Sequence, residues 1–177
     1  MKVFLALVNG LSRACGVIAA VMLLVAVVII CEMVFLRYVV NASVYWQTEF
    51  VTYVLIASTL IGSPYVLQVG GHVRVDILPL MLPGPARFVL ALIAYLVGFA
   101  FALLMALYGY EYWYLALSEG WDSGTMWGIP MWIPLLALPV GMGVLSLQYL
   151  ASILALVTGR ERPFATEEQR YPAEEDA

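Results

Sequence analysis

The chain is 177 residues long, 64% hydrophobic and only 11% charged, with a mean hydropathy of +0.95. A soluble domain carries close to half apolar and about a quarter charged residues, so a soluble fold is excluded and an integral membrane protein is expected. The net charge of −4 is mostly a tail effect, with Glu167, Glu168, Glu174, Glu175 and Asp176 gathered near the C-terminus, and no basic patch with interleaved aromatics exists to bind nucleic acid.

Residues 1–13 read as a cytoplasmic lead that can lie as an interfacial helix. Its apolar stretch, "VFLALV", is too short for the core of a signal peptide, and Arg13 interrupts it. The first span is expected at about 14–36. It holds both cysteines, Cys15 and Cys31. Sixteen residues of helix put them about 24 Å apart, against the 7 Å or so that a disulfide needs between Cα atoms. The chain has no CxxC motif, which speaks against a thiol oxidase.

A second span is expected at about 47–68, with Pro64 near its end and Gly70-Gly71 as the stop. The segment "GGHVRVDILP" (70–79) follows, holding the one histidine, His72, with Arg74 and Asp76. "LPGP" at 82–85 then offers a turn and prolines suited to a helix start.

The third span, about 86–117, would be some 48 Å long. That exceeds a hydrocarbon core of about 30 Å, so the helix must tilt or project. Ala94, Gly98, Ala102 and Ala106 recur along it every four residues, a spacing that lets helices approach closely in lipid. Between 108 and 132 stand four tyrosines and four tryptophans. They are expected to form an aromatic belt at one membrane face rather than a stacking site for a sugar. The fourth span, about 130–157, carries Pro130, Pro134 and Pro139, the last expected to kink it. Residues 159–177 are expected to be a disordered acidic tail.

Seven of the eight basic residues fall on one side of this layout: Lys2, Arg13, Arg74, Arg87, Arg160, Arg162 and Arg170, against Arg37 alone. Both termini are therefore expected in the cytoplasm. The expected fold is an all-α membrane protein of four transmembrane helices with a long, tilted third helix.

Few polar residues remain for chemistry. An Arg37–Glu49 pair would brace the corner between spans one and two, although both residues also suit the wet headgroup zone. One histidine cannot supply bis-His haem ligation, and no His, Cys or Glu cluster has metal spacing. No nucleophile, base and orienting group can be assembled around His72. A transport pathway usually needs broken helices with polar backbone at mid-bilayer, and only span two comes near, with Ser58, Thr59, Gly62 and Ser63. A stand-alone four-helix channel or exporter would need a polar stripe through an oligomer. An anchor subunit of a membrane enzyme would need cofactor ligands. The inventory fits scaffolding better than either.

Three segments carry a family resemblance. "LRYVVNASVYWQTEF" (36–50) sets an Arg-Tyr before Trp46, with Glu49 three residues on at a helix start. "LIGSPYVLQVGGHVRVDIL" (60–78) joins a polar-ended helix to Gly-Gly-His-x-Arg-x-Asp. Span four has Trp132-x-Pro134 and glycines at 141 and 143. Together, over about residues 14–158, these resemble the small membrane subunit of tripartite ATP-independent periplasmic (TRAP) transporters, the DctQ type. One departure is Thr48, where the family often has a second acid beside Glu49.

The resemblance implies a non-enzymatic subunit of an ion-gradient-driven transporter for organic acids, multi-pass in a bacterial inner membrane. It implies a large membrane subunit and a periplasmic substrate-binding protein as partners, besides lipids. Any sodium coupling is then expected in the large subunit, with no cofactor in this chain. On this reading Arg37, Trp46, Glu49, His72, Arg74, Asp76 and the 94/98/102/106 face are structural or interface residues, and "GGHVRVD" is a cytoplasmic connection or a contact with the large subunit.

Overall fold

In a computed structural model the described residues are 2–42, 45–70 and 84–158. They form helix α1 (Lys2–Tyr38), α2 (Trp46–Val69), α3 (Gly84–Ser118), a short α4 (Trp132–Leu135) and α5 (Ala137–Val157). A helix satisfies its own backbone polar groups where lipid offers them no partner. Among the described residues four stretches are long and apolar enough to cross a membrane: Val3–Tyr38, Trp46–Val69, Ala86–Ser118 and Trp132–Val157.

Lys2–Tyr38 is one helix, so the residues expected as a lead run on into the first span without a turn. No proline interrupts it, and Gly10 and Gly16 each cost only about 1 kcal/mol relative to alanine. At 1.5 Å per residue α1 is about 55 Å long and α3 about 52 Å, both exceeding a hydrocarbon core of about 30 Å. The shorter α2 stops at Gly70, whose φ of 75° is left-handed and whose N–H caps the carbonyls of Val66 and Leu67. Glycine takes that conformation without a Cβ penalty. The expected fourth-span kink is a one-residue interruption at Leu136 between α4 and α5. Pro139, three residues later, lacks the N–H that would have reached Leu135.

The packing is an open array. α1 lies along α2, α2 along α5, and α5 along α3; α1 also touches α5, whereas α3 meets neither α1 nor α2. The buried face of α1 steps alternately by four and three, through Val8, Ser12, Cys15, Ala19 and, a heptad further on, Ala26. That is the left-handed seam of antiparallel neighbours. Facing positions fix the register: Gly16 meets Tyr65 and Gly62 meets Ala19, while Thr48 reaches Met33 Sδ at 3.5 Å. In the same way Gly98 meets Tyr149 and Gly109 meets Leu138 across α3 and α5.

Candidate functional site

The most polar corner lies at the N-terminal end of α2. Trp46 packs edge-on to Phe50, and both meet Trp127 of the α3–α4 loop with ring centroids 6.2 and 6.3 Å away. One turn of helix brings Glu49 beside them. Its carboxylate accepts a hydrogen bond from Tyr53 Oη at 2.7 Å and another from Thr125 Oγ1 at 2.6 Å. The expected Arg37–Glu49 pair is not made. Arg37 is exposed in the last turn of α1, and the groups that bond Glu49, with Ser123 beside Tyr53 and Thr125, are uncharged hydroxyls.

The loop that delivers Thr125 is tightly built. Asp122 bridges to Pro130, and Met131 N–H donates to the Trp121 carbonyl at 2.9 Å. Asp122 Oδ1 accepts from Gly124 N–H at 3.1 Å, an Asx turn. Trp113 Nε1 donates to the Trp132 carbonyl at 3.0 Å, and Trp121 Nε1 to Glu119 at 2.7 Å. Indole rings with one satisfied N–H and an apolar body suit a membrane interface.

A second set of contacts centres on "LIGSP" (60–64). Pro64 lies buried inside α2 and has no N–H to give the carbonyl four residues back, that of Leu60. Ser63 Oγ donates to this carbonyl at 2.8 Å. Gly141 of α5 closes on the same peptide, for a Cβ there would stand 2.5 Å from the Leu60 oxygen. The carbonyl that proline releases is thus satisfied locally and shielded by a neighbouring backbone. Sequence reading placed Pro64 near the end of span two and counted Ser63 only among its polar residues; the signal was a serine directly before an in-helix proline.

A third is a buried polar clasp. Ser12 Oγ donates to Gln148 Oε1 at 2.7 Å, and Gln148 Nε2 donates to Asn9 Oδ1 at 3.2 Å, joining α1 to α5. Sequence reading missed it because both partners are uncharged and lie more than 130 positions apart.

Along α3, Gly98 faces the Tyr149 ring and Ala102 is fully buried with Leu67 and Leu145. Ala106 is half-buried, but Ala94 is exposed. The packed face is Ala91, Gly98, Ala102, Gly109 and Ala116, corrected from the expected stripe of fours. Steps of four overshoot a full turn by about 40° each, so such a stripe rotates off a straight contact. His72, Arg74 and Asp76 lie outside the described residues.

Among the described residues no group of three His, Cys, Asp or Glu side chains could hold a metal ion. The arrangement shows helix-to-helix fastening and one acidic, aromatic corner.

The family described as tripartite ATP-independent periplasmic transporters, DctQ component, matches residues 26–159. The C4-dicarboxylate TRAP transporter small permease protein DctQ of Vibrio cholerae serotype O1 (strain ATCC 39315 / El Tor Inaba N16961) is 27% identical over 165 residues. That match covers 81% of this chain and 69% of the relative.

Proposed function

The chain belongs to the DctQ component family of the TRAP transporters, and from that premise we propose that it is the scaffold of its complex, bracing a large membrane subunit that carries substrate and ions. The family is one of small permease subunits, not of enzymes, and the chain is a multi-pass protein of the bacterial inner membrane. The observation that supports a bracing role is the manner of packing. α5 is held to α2 by a glycine pressed on a backbone carbonyl and to α3 by glycines under Tyr149 and Leu138. Such contacts resist sliding, because close-packed interiors shift between discrete arrangements rather than deforming continuously. Meanwhile α3, fastened on one side only, leaves Val97, Phe101 and Leu104 exposed for lipid or a partner.

On this reading the transported compound is an organic acid, as the name of the Vibrio relative suggests. Delivery falls to a periplasmic binding protein, and ion-gradient coupling resides in the large subunit. Seven of the eight basic residues favour cytoplasmic termini. Uptake into liposomes holding the large subunit, with binding protein outside, tests the assignment. Adding this chain should raise the amount of active complex, and Glu49→Gln should leave substrate choice and ion stoichiometry unchanged. A variant of this chain that assembles normally yet switches the coupling ion would overturn it.

A further inference from the structure

Beside the acidic corner runs a groove of about 440 Å³ between the start of α2 and the α3–α4 loop. Its polar wall is Glu49, with Thr48 and Thr52 along the same helix, and its rings come from Tyr45, Tyr53 and Trp127. Two features mark the groove as unfinished. Glu49 is bonded only by neutral hydroxyls, so among the described residues no cation offsets the negative charge that it holds at the end of a membrane-spanning helix. In addition, aromatic faces beside a carboxylate suit a cation, which the ring quadrupole and the charge attract together.

The stripe of α2 that carries Thr48 and Thr52 continues one turn deeper as Leu55 and Ile56, 40% and 52% exposed. Thr52 Oγ1 donates to the Thr48 carbonyl at 2.9 Å, so its hydroxyl is satisfied within the helix and can stand against lipid. Met126, 88% exposed, overhangs the loop side of the groove. A polar, aromatic mouth above an open apolar track is the outline of an amphiphile with a cationic head.

We propose that this groove is a lipid site, in which Glu49 and the rings of Tyr45, Tyr53 and Trp127 hold the ammonium head of a phospholipid while an acyl chain lies along Leu55 and Ile56. The assignment is independent of the scaffold reading. It makes the α2 corner and its loop a place where the composition of the bilayer is sensed by headgroup chemistry.

The test is native mass spectrometry of the full chain, purified in detergent and offered phosphatidylethanolamine and phosphatidylglycerol with matched acyl chains. The wild-type chain should retain the ethanolamine lipid about tenfold better than the glycerol lipid, the scale of one charge-assisted, ring-flanked contact. Glu49→Gln keeps the side-chain shape and should abolish the preference by loss of the ethanolamine lipid alone. Trp127→Ala should weaken it about threefold, and Glu119→Gln, a carboxylate on the same loop but outside the groove, should not alter it. Equal retention of both lipids by the wild-type chain would overturn the site even if a variant failed to fold. So would an equal loss in Glu119→Gln. If no headgroup preference exists and Glu49→Gln instead prevents capture of the large subunit, the groove takes a basic side chain of that partner and the lipid assignment is wrong.

Discussion

Two glycines two residues apart show how much a single Cβ can matter. A methyl at Gly141 would lie 2.5 Å from the Leu60 oxygen, whereas at Gly143 it would meet nothing within 4 Å. Backbone cannot give way as a side-chain tip can. Gly141→Ala should therefore cost about 1–3 kcal/mol by overpacking, while Gly143→Ala should be neutral or slightly stabilising through helix propensity. Thermal unfolding in detergent, followed by tryptophan fluorescence, separates them, and equal midpoints would remove the close approach from the account. The Ser12–Gln148–Asn9 clasp is expected to be worth less than its burial suggests. Polar contacts between helices in membranes average about 0.6 kcal/mol, because the unassembled helix finds other partners. Gln148→Leu should lower stability by about 1 kcal/mol, read in the same unfolding assay, and should lower it hardly at all when Ser12→Ala and Asn9→Leu are already present.

At the scale of the element, α3 tests the difference between a stripe of fours and a heptad seam. Ala102 has 0% exposure and touches the Leu67–Leu145 cluster, whereas Ala94 looks outward. Ala102→Leu should destabilise by about 1–3 kcal/mol; Ala94→Leu should stay within about 0.5 kcal/mol. Chemical unfolding of each variant in mixed micelles measures both, and a larger effect at Ala94 would restore the stripe of fours. The α2 helix shows the complementary case. An in-helix proline usually costs about 3 kcal/mol, yet here it is fully buried and its freed carbonyl is bonded by Ser63. Ser63→Val should thus cost more than Thr59→Val, whose hydroxyl donates to a carbonyl that no proline has released. Unfolding midpoints of the two variants check the order.

For the whole molecule, four helices crossing in alternation return the chain to the side where it began. The distribution of basic residues assigns that side to the cytoplasm. Single cysteines at Asp122→Cys and Thr158→Cys, in a chain lacking Cys15 and Cys31, should react with a membrane-impermeant maleimide from outside and inside respectively. Reaction of both from one side would overturn the topology. The open array leaves α3 touching only the fourth span among the described helices. Its apolar faces are longer than the bilayer and fastened on one flank.

Composition and hydropathy, by themselves, determined the class, the number of spans and the orientation expected for them, because each is a sum over neighbouring residues facing one solvent. The small residues of α3 were legible as packing residues, and Glu49 and Trp46 as the start of a helix. Which small residues pack was decided only by the tertiary structure, since a contact face must follow 3.5 to 3.6 residues per turn against a particular neighbour. Arg37 looked like the partner of Glu49 because it is near in sequence. Thr125, 76 positions away, holds that carboxylate instead, because the α3–α4 loop folds over the end of α2 and no local pattern records where a loop will land. The use of Gly141 was hidden for the same physical reason: a released carbonyl on one helix and a missing side chain on another have meaning only when two backbones meet.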